Sequence, residues 1–197
     1  MKKPQVNLAA LDKVDDKPLR KSLEVMRTAW REIDDAKVRL SALEKEVAEF
    51  LEQADPDDAQ ALHIASAKRM QIEIIPRLIA KVERNLENDI EPAMVRNLDR
   101  FRSALREFYE QAFDVTAEEL AKFFKPYFSG QIEHGNGVVD RALFVARQSD
   151  DCRELLKRQH EISDIRIPVS HRSNAPQAHD RALCGAAMEL LELAARN

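Results

Sequence analysis

From Asp16 to Ala54 the chain carries an apolar seam for more than thirty residues without a single glycine. Leu23, Met26, Trp30 and Ile33 follow at intervals of 3, 4 and 3, and Ala36, Leu40, Leu43, Val47, Phe50 and Ala54 continue at 4, 3, 4, 3 and 4. Alternating threes and fours keep apolar side chains on one helix face, so the stretch reads as a coiled-coil strand. The extra three-residue step from Ile33 to Ala36 acts like an insertion of three and predicts local overwinding without a break. Such a helix would be on the order of 55 Å long at about 1.5 Å per residue. That length points to an elongated protein rather than a compact globule.

Composition agrees with long helices. Only 4 of 197 residues are glycine, 34% are charged and 44% are hydrophobic, which favours helix over a turn-rich β fold. The net charge of −4 names no polyanionic partner. Cys152 and Cys184 are too few for a disulfide framework and suit a reducing compartment. The basic Met1-Lys2-Lys3 start is followed by no apolar run of signal-peptide length, and no stretch approaches the roughly 20 apolar residues that span a bilayer. A cytoplasmic protein with no membrane contact is expected.

Along the chain, residues 1–15 form a polar N-terminal arm, and Asp16 before Lys17-Pro18 is a candidate helix cap. Asp55-Pro56-Asp57-Asp58 reads as a short junction after which a second helix turns back antiparallel. That helix carries Leu62, Ala65, Ile72, Ile75, Ile79, Val82 and Leu86, with Pro76 predicted to kink it. Asn88-Asp89-Ile90-Glu91-Pro92 reads as a boundary before a third helix with Val95, Leu98, Phe101, Leu105, Phe108 and Ala112.

Eight of the eleven aromatics fall between Phe101 and Phe128, either as a local core or as a docking surface. Thr116-Ala117-Glu118-Glu119 resembles a capping box that would open a new short helix. His134-Gly135-Asn136-Gly137 is the strongest turn signal. Helices are expected over Val138–Gln148 and Asp151–Ile162, the latter capped by the Asp151/Glu154 pair, then an extended Ile165–Val169, a loop over Ser170–Pro176 and a last helix from about Gln177 to Arg196.

Chemistry-bearing patterns are sparse. His134, Cys152, His160, His171, His179 and Cys184 cluster in the C-terminal third, and a zinc ion needs four such donors in a tetrahedron, but none of the usual ligand spacings occurs. A metal-binding bundle is therefore kept as an alternative, with no ligand set and no cofactor assigned. Arg96, Arg100, Arg102 and Arg106 share one helix and can contact phosphates, yet Asp99, Glu107 and Glu110 interleave with them, as on an ion-paired solvated face. Arg153 stands seven residues before His160, a spacing that resembles the arginine–histidine pair of HEPN-type helical ribonucleases. The resemblance covers this one segment, with Glu154 as the polar residue after the arginine, and implies that the pair would work on an RNA phosphate. No phosphate-binding glycine loop, nucleophile elbow or paired-carboxylate signature is present, and Ser170 beside His171 is only a sequence neighbour.

The expectation is an all-α chain: arm 1–15, an elongated antiparallel hairpin or three-helix coiled-coil body over 16–113, and a smaller C-terminal helical region over 114–197. It is expected to be a non-enzymatic structural or interaction protein, self-associating or partner-binding. Trp30, Leu40, Leu43 and Val47 on the seam and Phe123, Phe124, Tyr127 and Phe128 in the aromatic cluster are the candidate contact residues. The alternative is a nucleic-acid-associated protein that uses Arg96–Arg106 or Arg153 with His160.

Overall fold

The computed structural model describes residues 6, 8, 11, 13–53, 59–128, 131–134, 137–168 and 175–195, with the backbone alone at 53, 131–134 and 137–139. The fold is all-α. Helix α1 spans Lys17–Gln53, α2 Ala59–Asn85, α3 Glu91–Phe124, α4 Arg141–Arg147, α5 Asp150–Asp164 and α6 Pro176–Ala195. A small antiparallel hairpin of β1 (Gln131–His134) and β2 (Gly137–Asp140) pairs His134 with Gly137 and Gln131 with Asp140. No described helix is long and apolar enough to cross a membrane.

The long seam predicted between Asp16 and Ala54 is α1, and α2 runs back along it. Glu46 meets Lys68 at 2.9 Å and Arg39 donates to Gln71 at 3.1 Å, so the two helices are crossed by polar pairs in antiparallel order. Asp16 stands at the expected cap position, its carbonyl accepting from the Arg20 N–H at 3.0 Å, but its carboxylate takes Arg20 Nε at 2.7 Å and it is Asp15 Oδ1 that accepts from the Lys17 N–H at 3.1 Å. The junction at 54–58 lies outside the described residues.

Between Ala59 and Tyr127 the chain is one helix of 69 residues. The expected boundary at Asn88–Pro92 is instead a π-helical segment, Leu86–Ile90, in which the Glu91 N–H reaches back to the Leu86 carbonyl. The inward residues explain this. Leu86, Ile90, Met94 and Leu98 are separated by three successive steps of four, which in an α-helix would walk the stripe around the surface by about 40° per step. A wider turn absorbs that drift, and Pro92, which has no N–H to give, sits just after it. Pro76 likewise lies inside continuous helix.

The capping-box reading of Thr116 fails for a related reason. Leu98, Phe101, Leu105, Tyr109, Ala112, Thr116 and Leu120 form one unbroken buried stripe, so Thr116 faces inward and α3 runs through it.

Farther on, Val138 and Val139 are strand residues paired with Glu133 and Ile132, and helix begins only at Arg141. The Asp140 carboxylate caps it by accepting from the Ala142 and Leu143 N–H groups. The cap of α5 is Ser149, whose Oγ accepts from Cys152 N at 3.3 Å, and not the Asp151/Glu154 pair. Ile165–Pro168 is irregular with Ile165 and Ile167 buried, while 169–174 and Gly135-Asn136 lie outside the described residues.

The main core lies at the lower half of α1. Leu19, Leu23, Met26, Ala29 and Ile33 meet Leu86, Met94, Leu98, Phe101 and Leu105 of the long helix, Ile162 of α5, and Leu183, Ala187 and Leu190 of α6. A second cluster joins Ala117 and Leu120 to Ala146 and Cys152, with Phe113, Phe124 and Leu143 against it. Above Ile33 the picture changes. There, among the described residues, each helix has only the other as partner, and Val47, Ala65 and Ile75 are the buried apolar residues on this arm. Large side chains left outside contribute little, because each about 1.5–3 kcal/mol of apolar stabilisation requires full burial.

Candidate functional site

At the root of the arm, α1, α3 and α6 bring four polar side chains into the edge of the main core. Trp30 Nε1 donates to Asp180 Oδ2 at 3.0 Å, and His179 Nε2 lies 2.9 Å from Glu91 Oε1. Asp180 is 0% exposed and His179 9%, so both sit where a polar group is costly unless partnered.

Local structure accounts for each position. Glu91 follows directly on the π segment, whose extra residue per turn sets the phase of α3 and turns Glu91 towards α6. His179 and Asp180 lie in the first turns of α6, which opens at Pro176; the His179 N–H bonds the Ala175 carbonyl at 3.1 Å. Below them Leu183, Ala187 and Leu190 hold α6 to the core.

Glu91, His179 and Asp180 each offer one ligating atom, all within 4.8 Å of one another, and among the described residues they form the group of His, Cys, Asp and Glu side chains able to hold a metal ion. His179 Nδ1 is buried with no hydrogen-bond partner among the described residues. The cluster is reached from two sides. A cleft of about 610 Å³ is lined by Arg27, Trp30, Asp180, Cys184 and Met188, and a smaller one of about 260 Å³ by Glu91, Asp99, Arg102, Ile167 and His179. Burial pushes the Cys184 thiol up, Arg27 opposes this, and Asp180 adds to it.

The six-residue Cys/His set does not converge among the described residues. Cys152 is buried in the second cluster, His160 is exposed on α5 with Nδ1 2.7 Å from the Leu156 carbonyl, and Cys184 is half-buried on α6. His171 and the His134 side chain lie outside the described residues.

Of the seam candidates, Val47 is buried, Leu40 and Leu43 are half-buried between α1 and α2, and Trp30 is half-buried at the polar cluster. Phe123 stacks edge-on against Phe124 at 5.3 Å and tilts against Tyr127 at 6.1 Å. Tyr127 is exposed, and Phe128 lies under the Arg141 guanidinium at 5.4 Å. Arg96, Arg100 and Arg106 are exposed on α3, whereas Arg102 donates to Asp99 at 3.0 Å and to the Ile165 carbonyl at 3.4 Å. Arg153 is exposed, 4.0 Å from Asp150, and His160 stands two turns further along α5.

Sequence reasoning missed two features. Glu91 read only as part of a helix boundary and Asp180 not at all, because their meeting depends on the π segment and on the docking of α6. It also missed a second apolar face on α2: Met70, Ile74 and Leu78, at steps of four, are 61%, 47% and 54% exposed, while Ile72, Ile75 and Ile79 face α1. The signal was legible, since two apolar stripes on one helix exceed what one partner helix can cover. No family model, curated protein or solved structure matches this chain.

Proposed function

We propose that the protein is a non-enzymatic interaction protein in which the paired α1–α2 arm presents the outer face of α2 to an amphipathic helix of a partner protein. The observation that carries this reading is the exposed line Met70–Ile74–Leu78 on an arm that has few buried residues of its own. Continuous exposed apolar side chains on a polar protein mark contact surfaces. Steps of four on a helix suit a partner helix lying alongside.

Charge supports an acidic partner. Arg77 and Lys81 follow Ile74 and Leu78 by three residues on the same side of α2, and besides Lys68, which pairs with Glu46 of α1, the helix carries Arg69, Arg77, Lys81 and Arg84 against Glu73 and Glu83. A basic helix within an acidic chain favours an occupant whose apolar stripe is flanked by Asp and Glu.

The test uses two labelled amphipathic helical peptides with the same leucine stripe, one flanked by glutamate and the other by lysine. Fluorescence anisotropy should show binding of the acidic peptide only, weakened at least about tenfold in Ile74→Ser/Leu78→Ser, as expected when central anchors are lost. Equal binding of both peptides, or binding unaffected by the serine variant, refutes the reading. A dimer seen by light scattering and dissolved by the same variant would put a second copy of the chain in place of the partner helix.

A further inference from the structure

We infer that Glu91, His179 and Asp180 form a binding site for a divalent first-row transition metal ion, which ties the π segment of the long helix to the start of α6. Ligands held at about 2.1 Å around one ion stand roughly 3.0–4.2 Å apart. His179 Nε2 and Glu91 Oε1 are already 2.9 Å apart, and no pair in the group exceeds 4.8 Å. Small side-chain movements therefore suffice to close the set.

Three further observations point to a ligand. His179 is 9% exposed and its Nδ1 has no hydrogen-bond partner among the described residues, so the imidazole is tied through Nε2 alone and can turn to place that nitrogen on an ion. Trp30 Nε1–H donates to Asp180 Oδ2 and orients that carboxylate, as outer groups orient metal ligands. The clefts beside Asp180 and beside Glu91 and His179 give an ion an entry path and leave room for water to complete its coordination.

The donor set selects the class of ion. One imidazole nitrogen and two carboxylates suit Mn²⁺, Fe²⁺, Co²⁺ or Zn²⁺, are too nitrogen-rich for a calcium cage, and lack the thiolates of a structural zinc site. Cys184 lines the neighbouring cleft, but the atoms that lie within 4.8 Å of one another belong to Glu91, His179 and Asp180, so its thiol stands outside the set.

Full-length protein stripped with chelator would be titrated with Zn²⁺ and with Mn²⁺ by calorimetry, alongside His179→Gln, Glu91→Gln and Cys184→Ser. One ion per chain is expected, with affinity weakened at least about tenfold in the first two variants and unchanged in the third. Because His179→Gln can disturb packing, the unmutated protein supplies an independent readout: Zn²⁺ should shift the imidazole ¹⁵N resonances of His179 and leave those of His63 and His160 in place. Absence of binding, binding that survives both variants, or a shift at another histidine instead overturns the assignment.

Discussion

Replacing Trp30 by Phe removes the indole N–H that bonds Asp180 and keeps an aromatic ring against the core. The bond is 3.0 Å long and its acceptor is fully buried. A hydrogen bond to a charged group contributes about 1.5–3 kcal/mol, and the smaller ring adds some loss of packing. A total of about 2–3 kcal/mol corresponds to a fall in Tm of roughly 4–12 °C for a chain of this size. Trp30 is the single tryptophan, so unfolding in urea must be followed by far-UV circular dichroism rather than by fluorescence. Packing effects cancel in a double-mutant cycle with Asp180→Ala, which isolates the contact between the two side chains. A coupling of about 1.5–3 kcal/mol is expected. Coupling below about 0.5 kcal/mol would show that Asp180 draws its stabilisation elsewhere and that the Trp30 bond holds neither α6 nor the polar cluster.

Two other outcomes follow from the same geometry. Amides of α2 from Ala65 to Ile79 should exchange with deuterium at least about tenfold faster than those of α3 from Leu98 to Leu120, because the arm has one partner helix where α3 has several; uniform protection would contradict a thin arm. Cys184 should alkylate slowly at neutral pH and speed up only above the ordinary thiol range, and Arg27→Gln, which removes the charge favouring thiolate, should slow it further. The folded thiol holds its proton to higher pH than the unfolded one, so its contribution to stability is complete below the unfolded pKa and is lost as pH rises through the folded value. Alkylation as fast as that of a free thiol would refute this placement.

The placement of Glu91 separates what could be read in the chain from what could not. Asn88–Pro92 has the composition of a helix junction, and by local rules it should end one helix and start another. Burial of Leu86, Met94 and Leu98 along one stripe, with Ile90 partly buried beside them, outweighs that preference, and the chain accommodates both demands with a π turn. Thr116 illustrates the same conflict, since its capping pattern is local while the stripe from Leu98 to Leu120 is not. At Val138 the balance tips the other way: pairing of β2 with β1 wins over a helical reading of the segment, and the cap moves to Asp140.

The sequence by itself determined the helical class, the long first helix and its apolar seam, because scarce glycine and repeated steps of three and four act over each segment independently of the rest. Its phase also marked the residues that face inward, from Leu23 to Val47. Only the tertiary structure decided where that seam is deeply buried and where it is merely paired, since burial depends on how many other helices arrive. It likewise decided that Trp30, Glu91, His179 and Asp180 meet. These residues lie up to 150 positions apart, and no local preference encodes the packing of α6 against α1 and α3 that brings them together.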